Sequence, residues 1–210
     1  MFDRRCDDAA INFVRDVKQV LCEKDAYIRG KFLNSPELNG FYKDRYKGIT
    51  TWSVTEPILK FIIITELCDK YKLLPEDRGY EGRQLLDLSL YIDEQDERNH
   101  AEIGIEMKWS ALTKNSLMTS GSLECFVSDF IKIKKCMTDH KYLLQFVRHS
   151  PSIEIQPTKL EQQILDQYDN RSFRYFSTRV ISVEQFPIWG ANEAETETFS
   201  LLLWKVGKNI

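Results

Sequence analysis

The sequence predicts a mixed α/β fold, a central β-sheet flanked by helices, from three observations. Two consecutive segments, 85–92 and 101–109, alternate apolar and polar residues with the period of two expected of half-buried strands. Apolar residues at helical spacing precede them and follow them. Strand-like runs then return, so helices and strands interleave along the chain rather than forming separate blocks, which is the order of a layered sheet.

The first helix is expected from Asp7 to about Lys24, where Ala10, Phe13, Val14, Val17, Val20 and Leu21 recur at helical spacing. Residues 29–50, rich in Gly, Pro, Asn and Tyr, read as loop. A second helix begins near Ser53. Ser53 and Glu56 have the spacing of a capping box, Pro57 suits a first turn, and Pro75 stops the helix after about Leu73. In the strand at 85–92, Leu86, Leu88, Leu90 and Ile92 share one face, and Asp87, Ser89 and Tyr91 the other. The acidic stretch 93–100 reads as a hairpin turn or a longer solvated loop. In the strand at 101–109, Ile103, Ile105 and Met107 point one way, and Glu102, Gly104, Glu106 and Lys108 the other. A Ser/Thr/Gly-rich loop at 110–121 leads into a helix over 122–139, with Leu123, Phe126, Val127, Phe130, Ile131 and Ile133 as its apolar side. Residues 142–147 form an apolar strand, 149–157 a loop, and 160–168 a short helix. Two last strands, 174–186 and 198–206, are separated by Pro187-Ile-Trp-Gly.

The 210 residues suit one domain, with a helical N-terminal part at about 1–50, a core at about 53–148, and a C-terminal helix and strands at about 158–207. With 42% hydrophobic and 29% charged residues the chain is an ordinary globular protein, which excludes collagen-like, mucin-like and disordered classes. A chain of this length buries roughly 70% of its unfolded surface and needs no disulfide or structural metal to fold. The five cysteines are scattered without a C-x-x-C pair, as expected of reduced, packed thiols. The N-terminus lacks the apolar stretch of a signal peptide. The most apolar run, 58–67, is broken by Lys60 and Glu66 and falls short of the roughly 20 residues of a membrane span. The expectation is a soluble cytoplasmic protein with no membrane partner.

A net charge of -3 argues against coating nucleic acid electrostatically, but not against nucleic acid as a substrate. The charge is uneven: Asp93–Glu97 is an acidic block, whereas Lys132, Lys134, Lys135, Lys141 and Arg148 surround a single Asp139.

Asp87, Glu106 and Lys108 carry the chemistry. Glu106 and Lys108 are two residues apart in one strand and project from the same face, and pairing of the two strands would bring Asp87 beside them. Two carboxylates about 4 Å apart repel by roughly 4 kcal/mol at an effective dielectric of about 20. A divalent cation removes that cost, and hard oxygen ligands suit Mg²⁺ or Mn²⁺. A lysine beside them can hold an attacking water or stabilise negative charge on a phosphate.

Asp87, followed about twenty residues later by Glu106-Met107-Lys108 within Ile-Gly-Ile-Glu-Met-Lys-Trp, resembles the PD-(D/E)XK nuclease superfamily, the restriction-endonuclease-like fold. The element order also matches, over about 53–148, and Phe-Val-Ser-Asp-Phe-Ile-Lys-Ile at 126–133 is similar to the helix that follows the Glu-x-Lys strand there, often with an acid and a lysine. Leu86 departs from the pattern by standing where the name-giving proline would be. The resemblance implies a metal-dependent nuclease, with DNA favoured over RNA as substrate and endonucleolytic favoured over exonucleolytic cleavage. Asp87 and Glu106 would hold Mg²⁺ or Mn²⁺, Glu56 would be a further metal ligand, and Lys108 would orient the water. A homodimer or a partner protein fits the same expectation. The competing readings are a non-catalytic nucleic-acid- or protein-binding module of this fold, and a catalytic subunit active only with a partner.

The remaining residues have two readings each. Glu56 is either a metal ligand or half of the Ser53 capping box. Lys132 and Lys135 are nucleic-acid-binding candidates as backbone phosphate contacts, or belong to a solvated helix face together with Lys134. Glu102 is read as a solvated glutamate, while Ser89 and Tyr91 line the cleft. Gln145 lines the site or is a core-edge amide. Trp109 packs or walls the site. His140 and His149 match no zinc spacing and are read as surface residues.

Overall fold

The computed structural model describes residues 2–33, 56–77, 80, 85–91, 102–169, 176–189 and 196–208. Along the chain these form α1 (Phe2–Leu33), α2 (Glu56–Leu67), β1 (Lys72–Asp77), β2 (Leu86–Tyr91), β3 (Ile103–Ala111), α3 (Ser120–Lys134), β4 (His140–His149), α4 (Pro157–Asp169), β5 (Phe176–Trp189) and β6 (Thr196–Lys208). The mixed α/β expectation holds. The strands build one six-stranded sheet in the order β1-β2-β3-β4-β6-β5. Every neighbouring pair is antiparallel except β3 and β4, which are parallel and in register from Ile103↔His140 to Ala111↔Arg148. A parallel pair needs a long return connection, and α3 supplies it.

Two apolar layers sandwich the sheet. On one face Phe13, Val14, Val17 and Leu21 of α1 and Leu59 and Ile63 of α2 cover Leu88, Ile105, Met107, Leu144 and Phe146. On the other, Phe126, Val127 and Phe130 of α3 and Leu160 and Ile164 of α4 cover Leu143, Val147, Leu202 and Trp204. Strand β4 is covered on both sides, which is why 142–147 is nearly all apolar instead of alternating.

Several boundaries move. Helix α1 continues to Leu33, so the start of the expected 29–50 loop is helical; 34–50, Ser53, Ile92 and 93–100 lie outside the described residues. The second helix ends at Leu67, not Leu73: 72–77 instead form edge strand β1, paired from Lys72↔Tyr91 to Asp77↔Leu86. Pro75 sits within that strand, which an edge position allows because one side needs no ladder N–H. Helix α3 starts at Ser120, where the Thr119 side chain accepts a hydrogen bond from the Ser122 N–H, and stops at Lys134 rather than Asp139. Pro187, Ile188 and Trp189 extend β5 instead of separating two strands.

The expected single face of leucines in β2 is also corrected. Leu88 and Leu90 pack under α1 and α2, whereas Leu86 belongs to the cluster under α3 and α4. The strand therefore changes face at Asp87. Leu86 then lies over Gly104, where an added Cβ would stand 2.6 Å from the Thr138 hydroxyl oxygen and 3.0 Å from Leu86 Cδ2. Gly104→Ala is expected to lower stability by about 1–3 kcal/mol through overpacking. An unchanged urea midpoint and slope would contradict this.

Candidate active site

Among the described residues strand β2 pairs with β3 at Leu88↔Ile105, Ser89↔Gly104 and Leu90↔Ile103. It stays with β1 as far as Leu86, while β3 stays with β4 as far as Ala111, so the two strands fork at Asp87. Past the fork, the edge amides of β3 need acceptors that, among the described residues, no neighbouring strand supplies. Two carboxylates provide them. Asp87 Oδ2 accepts from the Met107 N–H at 2.8 Å, and Glu56 Oε2, from the start of α2, accepts from the Trp109 N–H at 3.3 Å.

Glu106 and Lys108 project from the fork toward α3. Glu106 is 2% exposed, and its Oε1 accepts from the Tyr80 hydroxyl at 2.6 Å and from Lys132 Nζ at 2.8 Å. Lys132 also donates to the Leu85 carbonyl at 3.1 Å and lies 5.1 Å from the centre of the Tyr80 ring. Burial, reinforced by the charge of Asp87, pushes the Glu106 carboxyl up to about 7 against the opposing effect of Lys132 and Tyr80. Burial and the bond to Glu106 push the Tyr80 phenol far above its ordinary range.

Lys108 Nζ is 2.6 Å from Asp129 Oδ2 of α3. Burial works against the Lys108 ammonium, but the hydrogen bond and charge of Asp129, with the charge of Glu56, outweigh it and hold the ammonium above its ordinary range. Burial raises the Glu56 carboxyl, and the nearby Asp87 and Asp129 charges add to it, in opposition to Lys108 and the Trp109 N–H. On the α2 side Lys60 Nζ is 2.6 Å from Asp87 Oδ1, each side chain being 15% exposed. Burial disfavours this ammonium too, and Asp87 more than compensates. Four carboxylates (Glu56, Asp87, Glu106, Asp129) thus interleave with three ammonium groups (Lys60, Lys108, Lys132) between α2 and α3.

Among the described residues no three His, Cys, Asp or Glu side chains converge as a ready-made metal cluster. Glu56, expected as a further metal ligand, is turned to the Trp109 amide. What the fork offers is the buried Glu106 and the half-buried Asp87, hard-oxygen donors whose mutual repulsion a cation would relieve. That donor set fits Mg²⁺ or Mn²⁺, which are held through one or two carboxylates with water completing the shell.

Other candidates fall elsewhere. Lys132, expected on a solvated face or a phosphate, is drawn onto Glu106, whereas Lys135 is exposed at the C-cap of α3. Gln145, beside Lys108 in the β3–β4 register, is fully buried as a core amide, donating to Met118 Sδ and accepting from the Trp204 indole N–H. Ser89 is likewise fully buried, and Tyr91 and Glu102 are half-buried. The Trp109 ring packs on Phe199, with centroids 5.5 Å apart. His149 is not a surface residue. Its Nε2 lies 2.7 Å from the Ser200 hydroxyl and its Nδ1 2.9 Å from the Ser150 carbonyl, and burial pulls its pKa down; His140 is half-buried.

Lys60 and Tyr80 were absent from the sequence-based site. Lys60 had a local signal: it interrupts the most apolar run of the chain four residues after Glu56, so the two share a helix face. Tyr80 had none.

The Glu106 carboxyl sits at about 7 in the folded protein against an ordinary 4.5, so the native state binds the extra proton and stability falls as pH rises through that window. Glu106→Gln removes the titration. In EDTA, wild type is expected to lose up to about 3 kcal/mol more than the variant between about pH 5 and pH 8, by urea unfolding. Superimposable pH profiles would contradict it. The opposite trend from His149, which loses stability toward acid, is common to both proteins and cancels.

No protein-family model, curated protein or solved structure matches the chain.

Proposed function

We propose that the protein is a metal-dependent nuclease of restriction-endonuclease-like architecture that hydrolyses phosphodiester bonds, with DNA as the favoured substrate. One observation carries the reading. The fork brings Asp87, Glu106 and Lys108, separated along the chain, to one end of β2 and β3, with further acids and lysines supplied by α2 and α3. A parallel β3–β4 pair joined by α3 agrees with that architecture.

When bound at Asp87 and Glu106, a divalent cation would supply positive charge to a phosphate oxygen and to the leaving oxygen. The protein's own groups do the rest. The Met107 N–H fixes Asp87, and Tyr80 and Lys132 fix Glu106, so both carboxylates are oriented in advance. Lys108 is held as a cation by Asp129 and therefore acts as a hydrogen-bond donor, not as a base. Its ammonium would orient the attacking water and offset the negative charge that builds on the phosphoryl oxygens as the new P–O bond forms in line with the departing 3′-oxygen, the water giving its proton to solvent and the leaving oxygen taking one from solvent. Lys135, exposed at the end of α3, is offered as a backbone phosphate contact. The net charge of -3 favours a second reading, a catalytic subunit whose partner brings the nucleic acid, since this chain has little long-range attraction for a polyanion.

Plasmid, linear duplex, single-stranded DNA and RNA should be incubated with Mg²⁺, Mn²⁺ or EDTA. Cleavage is expected with metal and not with EDTA, and Asp87→Ala and Lys108→Ala should each lower it by about 100-fold or more while remaining folded. Wild-type rates in Lys108→Ala would refute the assignment. Silence of the folded wild type on every substrate would favour the partner-dependent subunit or a non-catalytic binding module.

A further inference from the structure

Lys60 has no place in the hydrolytic scheme above, yet it makes one of the shortest ion pairs of the site. Its Nζ is 2.6 Å from Asp87 Oδ1, on the carboxylate that also accepts from the Met107 edge amide. A second carboxylate stands within reach: Glu76 Oε1, at 4.0 Å from the same ammonium. The two acids differ in setting, the Asp87 side chain being 15% exposed and that of Glu76 65% exposed. Glu76 belongs to β1, between Pro75, paired with Leu88, and Asp77, paired with Leu86, so it stands across from Asp87. It has a left-handed φ of 51°, uncommon for a residue with a side chain, so the strand is irregular at the residue that shares Lys60.

From this geometry we infer that Lys60 is a resident counter-ion of the metal site: its ammonium rests on Asp87 while no divalent cation is bound, and moves to Glu76 when one binds. The inference rests on Asp87 being a metal ligand, as proposed above. A cation and an ammonium compete for the same oxygen, so the metal sees only the fraction of molecules in which Lys60 has left, and its apparent affinity is reduced by that fraction. Glu76 makes leaving less costly by giving the lysine a solvated partner. The arrangement keeps the half-buried Asp87 neutralised between metal-binding events, when an uncompensated charge would weaken the fork. It also sets the metal affinity from α2, without touching Glu106 or Lys108.

The test is Mn²⁺ binding by the full chain without nucleic acid, read as loss of the free-ion EPR signal. Lys60→Gln, which keeps a donor for Asp87 but no charge, is expected to bind Mn²⁺ about 10-fold more tightly than wild type. Lys60→Arg, which keeps the charge and protects against a folding defect, should behave as wild type. Glu76→Gln should bind about 2–3-fold more weakly, the size expected of an exposed pair. Glu76→Gln should have no further effect in a Lys60→Gln background, because the lysine it would receive is gone, whereas bare charge effects of the two substitutions would add, and additivity would overturn the inference. Equal affinities in wild type, Lys60→Gln and Glu76→Gln, or weaker binding by Lys60→Gln, would overturn the inference and leave the metal site standing. Absence of Mn²⁺ binding in wild type and Lys60→Gln alike would overturn both, while binding by Lys60→Gln alone would support both.

Discussion

The site depends on an unpaired edge. Where β2 leaves β3, the Met107 and Trp109 amides lose the strand that would accept their hydrogen bonds, and an unpaired buried donor costs about 1–3 kcal/mol. Asp87 and Glu56 supply the acceptors with their side chains. That one requirement brings two carboxylates against the strand that already carries Glu106 and Lys108. The fork therefore creates both the opening in the sheet and the negative charge that lines it.

Charge concentrated in this way has to be compensated, and the flanking helices provide the means. Lys60 of α2 meets Asp87, Lys132 of α3 meets Glu106, and Asp129 of α3 meets Lys108. Compensation is incomplete at Glu106, where burial and the Asp87 charge outweigh Lys132 and Tyr80 and leave the carboxyl close to neutrality at about 7. A carboxylate left poised in this way is a cost in stability of the kind that functional sites retain. A core built for stability alone would bury apolar side chains there, as the neighbouring Leu143 and Val147 positions do.

The position of the fork within the layers matters as much as its charge. Strand β2 changes face at Asp87, so Leu86 packs under α3 while Leu88 packs under α1 and α2. The carboxylate at the crossing point is reached from α2 on one side of the sheet and lies near groups held by α3 on the other. Groups from both helical layers can then act on one point, which a residue in the middle of a fully paired strand would not allow.

In β3, α1 and α3 the residue pattern alone fixes which face each side chain occupies. Period-two alternation placed Glu106 and Lys108 together on one side of β3, with Ile103, Ile105 and Met107 on the other, and helical spacing picked out the buried sides of α1 and α3. Periodicity reports which way a side chain points, because it follows from backbone geometry alone. It does not report what the side chain meets. The strand at 72–77, the change of face at Leu86, the Trp109 partner of Glu56, the Glu106 partner of Lys132 and the arrival of Tyr80 were decided by tertiary structure. Each depends on where β2 stops pairing with β3, and that point is set by packing between segments distant in the chain, which no local pattern encodes.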